Sequence, residues 1–377
     1  MPESYSFLIV DTYYARFLSS VYSANPELAA KGYREQLDFL MRQCFGTADF
    51  YSRNLKQLGC PAEEIIPNNE ILQRQWAVEN GRRITEPVYM KALRRFSLMR
   101  RLIKSPDWLL RILEQQIARA RPDVLYLQDL SFCPPDFLSK MKKYARMIVG
   151  QIACPLPPLP HLKPYDLILT SFPHYVGRFR DMGIRSEYFK IAFSPSVLDE
   201  AGTPERRYPC TFVGGISPAH KAGTLLLEEL ARRGDIDFFG YGADELDKNS
   251  PILPRHHGEV WGLAMYRALL SSRITINRHI DVAENYANNM RLYEATGCGA
   301  LLITDAKDNL SELFEVDKEI VAYKTVDDLV SLIQYYTEHD QQREIIAAAG
   351  QQRTLNEHTY ENRMRTLVDI VNNYIKD

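Results

Sequence analysis

Short apolar runs recur along this chain with longer amphipathic segments between them. They fall at Phe7–Val10, Val124–Leu127, Met147–Val149 and Leu167–Leu169, and again at Cys210–Val213, Ile236–Phe239, Ile274–Asn277, Leu301–Thr304 and Ile320–Ala322. Unbroken apolar runs, without the alternation of a half-exposed sheet, are what strands buried on both faces require. Spacers long enough to carry a helix back across the sheet join such strands in parallel. The chain is therefore read as α/β. Its 377 residues exceed what one hydrophobic core holds, so two domains are expected. The first spans 1–195, the second 208–358, and 359–377 is a last amphipathic helix with no strand after it, crossing back to the first domain. A Pro-, Ser- and charge-rich stretch from Pro195 to Tyr208, including Thr203-Pro204-Glu205-Arg206-Arg207, is read as the linker. From about Asn25 to Arg119 the reading is continuously helical, with Ser105-Pro106 starting one of the helices.

Composition removes several function classes. A formal charge of −2 and balanced charged residues argue against a dedicated nucleic-acid binder. The pairs Arg94-Arg95 and Arg100-Arg101 leave room for a peripheral membrane contact but read first as a solvated helix face. No signal peptide or membrane span is visible, and the six cysteines stand apart without a C-x-x-C pair, so a reduced, cytoplasmic chain is expected. No G-K-[ST] follows a glycine loop. Gly240-Tyr241-Gly242 begins like a dinucleotide fingerprint, but Glu245 stands where the third glycine belongs. His256-His257 is read as a loop rather than a metal site, because adjacent side chains in extended backbone point apart.

The most informative stretch is Asn288-Asn289-Met290-Arg291-Leu292-Tyr293-Glu294-Ala295-Thr296-Gly297-Cys298-Gly299-Ala300, followed at once by Leu301–Asp305. It reads as a helix that starts on small polar residues, carries a carboxylate about one turn in, ends on glycine and feeds a buried strand. Unpaired N–H groups and a partial positive charge at such an N-terminus suit a phosphate, and a glutamate one turn later reaches ribose hydroxyls. An ordinary helix-to-strand unit has the same pattern.

Ligands of open parallel sheets bind beyond the carboxyl ends of the strands. The residues that follow the strands are Asp11-Thr12-Tyr13-Tyr14, Gln128-Asp129, Gln151 and Ser171–His174, then Gly214–Ser217, Tyr241-Gly242, Arg278-His279 and Asp305. Polar, aromatic and glycine residues gather there, as a working cleft requires. Asp11, Asp129 and His174 are the candidates for a catalytic base, since each can accept a proton at such a position. Each also has a plain structural reading: Asp11 and Asp129 as caps, His174 as a packing partner of Tyr175.

Together, Phe212-Val213-Gly214-Gly215, Ser217-Pro218-Ala219-His220, Asn277-Arg278-His279 and the Asn289–Gly299 run resemble the CgeB-type, spore-maturation-protein-like glycosyltransferases, relatives of the family-4 enzymes. Tyr165–Thr170 and Phe172–Tyr175 extend the resemblance, which covers about Pro122 to the end of the chain. It implies the GT-B architecture, two facing Rossmann-like domains with an interdomain cleft. By position, it implies that Glu294 holds the donor ribose, and that Asn288, Asn289 and Met290 face the diphosphate with Arg291 as a charge partner. Gly214 and Gly215 would form the close-approach loop, His220 and Lys221 would neutralise the leaving diphosphate, and Tyr241 and Gly242 would lie by the base, with Asn277 and His279 completing the site. One departure is that Tyr286 stands where family-4 enzymes carry a second glutamate, with Glu284 nearby but out of register, which leaves a retaining course unassumed.

The expected activity is transfer of a sugar from a nucleotide-sugar donor to a glycan, lipid-linked or small-molecule acceptor. No cofactor and no metal are expected, since no D-x-D cluster sits at a strand end and Asp235-Ile236-Asp237 leads into a strand. A nucleotide-sugar epimerase and a non-catalytic carbohydrate-binding protein are the alternatives on the same fold. Oligomeric state is left open.

Overall fold

The computed structural model describes residues 4–84, 107–216 and 221–375. Contacts divide the chain into two compact units. Unit 1 comprises Met1–Thr170, Tyr175–Glu187 and Met364–Asp377, and unit 2 comprises Ser171–His174 and Tyr188–Arg363.

Unit 1 is built on a six-stranded sheet. Its strands are β1 Phe7–Val10, β2 Ala62–Ile65, β3 Val124–Leu127, β4 Met147–Ile152, β5 Leu167–Thr170 and β6 Ser186–Tyr188, in the order β2-β1-β3-β4-β5-β6. The β1–β2, β1–β3, β3–β4 and β4–β5 pairs are parallel. Strands β1, β3 and β5 are buried along their whole length, as their unbroken apolar character demands. The region expected to be helical from Asn25 to Arg119 is corrected here, because it contains β2 as an edge strand. Its sequence, Ala-Glu-Glu-Ile, carries two carboxylates and so lacks an apolar run to announce it. The 3-10 helix Pro26–Ala30 and helices Tyr33–Arg42, Phe50–Gln57, Glu70–Glu79 and Asp107–Ala120, with their connecting loops, make up the described remainder of that region. Ser105-Pro106 and the two arginine pairs lie outside the described residues.

Unit 2 carries a five-stranded sheet, β7 Tyr208–Val213, β8 Asp237–Phe239, β9 Ser272–Asn277, β10 Leu301–Asp305 and β11 Val321–Tyr323, in the order β11-β10-β9-β7-β8. Every pairing in it is parallel. Its core joins Ile274, Ile276, Leu301 and Ile303 of the central strands to Leu227 and Leu230 of helix Lys221–Arg233 and Leu329 of helix Val326–Glu338. Fully burying each such side chain stabilises the fold by about 1.5–3 kcal/mol.

The Pro195–Tyr208 stretch lies within unit 2. Phe193 presses on Gly297 so closely that a Cβ there would stand 2.6 Å from its ring, residues 196–201 form a helix, and Arg206 donates to the carbonyls of Ser272 at 2.9 Å and Cys298 at 3.2 Å. Arg206 of the charged run thus satisfies backbone carbonyls, while Glu205 and Arg207 are exposed. The final helix, Tyr360–Tyr374, starts in unit 2 and is counted with unit 1 from Met364. All six cysteines are free thiols, and five are buried while Cys154 is exposed. No described helix is long and apolar enough to cross a membrane.

Candidate functional site

Each sheet reverses its direction of winding once. In unit 1 the reversal lies at β1, flanked by β2 and β3, and in unit 2 at β7, flanked by β8 and β9. The carboxyl ends of the strands at these reversals are where such folds hold ligands.

In unit 2 the helix Met290–Gly297 follows the end of β9. Asn289 caps it from an extended conformation, its Oδ1 accepting the Leu292 N–H at 3.2 Å. That bond fixes the carboxamide, so its Nδ2 faces Asn277 and donates to Oδ1 at 2.9 Å. Asn277 in turn donates from Nδ2 to Thr304 Oγ1 at 2.9 Å, and Thr304 donates to Asp305 Oδ1 at 3.2 Å. The same Asp305 oxygen lies 2.7 Å from His279 Nδ1 and accepts the His279 backbone N–H at 3.1 Å. A continuous line of side chains thus runs from the helix cap to an imidazole. The helix ends in a Schellman arrangement, Gly299 N–H to Thr296 carbonyl and Ala300 N–H to Ala295 carbonyl, with Gly299 at φ +71° where a side chain is disfavoured.

Burial raises the proton affinity of the Asp305 carboxyl, but the His279 ring and the Lys307 ammonium outweigh it and hold the group below its usual range. Asp305 is therefore ionised at neutral pH. Lys307 Nζ stands 3.3 Å from Asp305 and donates to the Glu284 carbonyl at 2.7 Å. Asn309 grips Ala287 through both its N–H, at 2.6 Å, and its carbonyl, at 2.9 Å. These two residues pin the loop that leads into the helix. Neither was visible as functional in the sequence.

Glu294 is buried one turn into the helix. Its carboxylate pairs with Arg291 at 2.8 Å and accepts from the Tyr266 hydroxyl at 3.3 Å. An ionised carboxylate offers about four lone-pair sites, so these two contacts leave acceptor capacity. Arg291 also approaches Met265 Sδ at 3.3 Å. Asn288 is committed elsewhere. It accepts from the Tyr293 hydroxyl at 3.0 Å and donates to the Ser171 carbonyl at 3.1 Å, tying Ser171–His174 to this unit. Met290 opens the helix.

The glycine loop sits at the end of β7. Gly214 N–H donates to the Phe239 carbonyl at 3.0 Å, and a Cβ on Gly240, at φ +128°, would stand 1.9 Å from the Gly214 oxygen. A Cβ on Gly215 would meet the Tyr241 ring at 2.8 Å. Tyr241 stacks on Trp261 with centroids 5.2 Å apart and planes 11° from parallel, and Gly242 follows it with a left-handed φ of 92°. Trp261 was not anticipated, because its stacking partner Tyr241 belongs to a different segment of the chain. His220 lies outside the described residues, and Lys221 is the first residue of helix Lys221–Arg233. His256 and His257 serve separate local contacts, with the Gly240 carbonyl at 2.9 Å and Asp237 at 2.7 Å.

Unit 1 presents different chemistry at its reversal. Asp11 follows β1 with Asp129 close by after β3, and burial, with Asp129 adding to it and the Thr12 backbone opposing, pushes the Asp11 carboxyl up to about 7. Asp129 accepts from Thr12 Oγ1 at 2.9 Å and from the Ser131 N–H at 2.8 Å, so it does cap the turn after β3. Asp11 does not cap a helix: the next one, Ala15–Ala24, has Tyr14 at its cap without a side-chain bond. Glu64 on β2 is buried, accepts from the Ser52 N–H at 3.1 Å, and is pushed well up by that burial. Tyr51 and Tyr126 both donate to Gln151 Oε1, at 2.9 and 2.7 Å. Glu64 and Tyr51 were missed because their strand and helix lack an apolar signature.

His174 belongs with unit 2 rather than with the two aspartates. Its ring stacks between Tyr286, centroids 5.1 Å apart, and Phe172 at 5.5 Å, with Nε2 3.9 Å from Glu284. Tyr286, the departure from the family-4 pattern, is therefore a ring-stacking partner. Among the described residues no group of three His, Cys, Asp or Glu side chains is placed to hold a metal ion.

Residues 221–369 match a family model described as glycosyl transferase-like. No curated protein matches the chain in sequence. Among solved structures, a glycosyltransferase from Rickettsia africae has 11% identity and a TM-score of 0.59 over 100% of both chains. Alr3699/HepE of Anabaena in complex with UDP-glucose has 12% identity and a TM-score of 0.57 over 98% of this chain and 100% of that one. Sucrose-phosphate synthase of Thermosynechococcus elongatus has 9% identity and a TM-score of 0.57 over 98% of each. The fold is that of the GT-B glycosyltransferases, two parallel-sheet, Rossmann-like units.

Proposed function

We propose that the protein is a metal-independent glycosyltransferase that binds a nucleotide-sugar donor at the carboxyl end of the unit 2 sheet. The sugar passes to a glycan, lipid-linked or small-molecule acceptor at the corresponding end of unit 1. The observation that carries this reading is the helix start at Asn289 and Met290. Its cap is joined to the ends of β9 and β10, and Arg291 and Glu294 lie inside its first turns. The match of residues 221–369 to the glycosyl transferase-like model covers this element, and the Anabaena protein of the same fold was solved with UDP-glucose.

The chemistry follows from the charges. As the bond from the anomeric carbon to the diphosphate breaks, its electron pair goes to a phosphate oxygen. Fixed N–H donors and cations around that oxygen lower the barrier. In the proposal the helix N-terminus and Arg291 stand on that side. The Glu294 carboxylate accepts ribose hydroxyls, and Tyr241 with Trp261 offers a flat aromatic wall to the base. In unit 1, Asp11 accepts the proton of the acceptor hydroxyl as its oxygen bonds the anomeric carbon. A carboxylate whose proton affinity lies near neutrality suits that task.

The test is a thermal-shift screen against uridine, thymidine, guanosine and cytidine diphosphates and cytidine monophosphate. A ligand at about 100 times its Kd adds about 2.7 kcal/mol of stability, several degrees in a unit of this size. A shift with at least one of them is expected, and turnover should persist in a metal chelator. No shift with any of the five removes the donor site.

A further inference from the structure

The helix cap at Asn289 is joined, through Asn277, Thr304 and Asp305, to an imidazole that the donor-site reading leaves without a specific task. The His279 side chain is only 1% exposed. Its Nδ1 is held by Asp305, yet its Nε2 is buried and makes no hydrogen bond with any described residue. A buried ring nitrogen without a partner costs about 1–3 kcal/mol unless something satisfies it. Asp305 receives two hydrogen bonds from His279 and faces Lys307, an arrangement far more elaborate than packing requires.

Because Asp305 is ionised it cannot donate, so the 2.7 Å contact places a proton on Nδ1. The tautomer is thereby set, and Nε2 is the atom left to meet a ligand. The line of hydrogen bonds that ends on this ring begins at the cap of helix Met290–Gly297, whose dipole and unpaired N–H groups favour an anion.

We propose that His279 contacts the diphosphate of the donor through Nε2, and that Asp305 is the positioning residue that turns the ring toward it. With a carboxylate on Nδ1 and a phosphate oxygen on Nε2, the ring carries both protons and hence a positive charge. That charge sits between two anions, an arrangement that strengthens both hydrogen bonds. Lys307 opposes it from the far side of Asp305, and Arg278, the neighbouring cation, is turned to Asp281 at 2.8 Å. The inference rests on the donor-site reading and gives it a specific phosphate contact.

Glutamine and asparagine separate the two ring nitrogens. His279→Gln places an amide N–H near the position of Nε2, whereas His279→Asn keeps one near Nδ1 and loses the outer donor. Calorimetric titration with UDP and with inorganic pyrophosphate, on wild type, both variants and Asp305→Asn, decides the matter. His279→Asn is expected to weaken UDP at least tenfold and His279→Gln no more than about threefold, with Asp305→Asn between them. On binding either probe, the imidazole Nε2 resonance of wild type should move to that of a protonated, hydrogen-bonded nitrogen. Should His279→Asn bind UDP as tightly as wild type while His279→Gln weakens, the ring acts only through Asp305 and the proposal is overturned. Failure of wild type to bind UDP removes the uridine-nucleotide form of the donor reading. Pyrophosphate binding that His279→Asn alone abolishes would still sustain the phosphate contact. Failure with both probes overturns it.

Discussion

At the winding reversal of unit 1 the sheet ends in carboxylates and hydroxyls: Asp11, Asp129, Thr12 and, on the neighbouring strand, Glu64. At the reversal of unit 2 it ends in amides, an imidazole and cations, Asn277, His279, Asn289, Arg291 and Lys307, with the Asp305 carboxylate among them. The two ends share one topology. What differs is the sign of the charge they are fitted to receive. Desolvation raises the proton affinity of a carboxylate at the first end, and a cation beside the carboxylate lowers it at the second. On the proposed reading, one sheet end takes a proton and the other holds an anion.

The strongest way to break this contrast is to neutralise the proton acceptor. Asp11→Asn is expected to reduce turnover about 10²–10⁴-fold while nucleotide affinity stays within about twofold, measured by initial rates and titration on the same preparation. Full turnover in the folded variant would show that the acidic end takes no proton. Next in size is the ion pair inside the second end. Arg291→Met leaves Glu294 buried without its cation and should cost about 3–5 kcal/mol in urea unfolding. A change below about 1 kcal/mol would mean the pair is solvated and has little to do with shaping the site.

The smallest effect lies in the pH dependence of stability, and its direction differs between the units. Asp11 has a folded value near 7 against an ordinary 3.8, so the folded state binds the proton more tightly. Stability from this group is present at low pH and falls as pH rises from about 4 to 7, a slope that Asp11→Asn should flatten. In unit 2, burial and the nearby Arg363 push His358 down to about 4 from 6.5, with the bond to the Leu313 carbonyl opposing them. That stability is complete above about 6.5 and fades as pH drops toward 4. Denaturant midpoints taken across pH 4–8 on the Asp11→Asn and His358→Gln variants should separate the two slopes. If both slopes have the same sign, the electrostatic contrast fails.

Much of this was legible in the residues. Strands β1 and β3 stand where their apolar runs placed them, and the helix around Arg291 begins at an asparagine and closes through Gly299, as capping chemistry requires. What escaped notice lacked a local signal. Strand β2 hides two glutamates in four residues, one of them buried. In the stretch Pro195–Tyr208, Arg206 finds carbonyls distant in sequence, which its neighbours do not announce. Trp261, Tyr266, Lys307 and Asn309 gain their meaning from partners across the fold, which no window of sequence contains.

The single exposed thiol has a practical consequence. Cys154 follows β4, and partial burial, reinforced by the charge of Asp129, raises its thiol above the ordinary range. A maleimide fluorophore applied at mildly alkaline pH should therefore attach at one site in the unmodified protein, beside the acidic sheet end. Its emission would then report binding of the proposed acceptor optically.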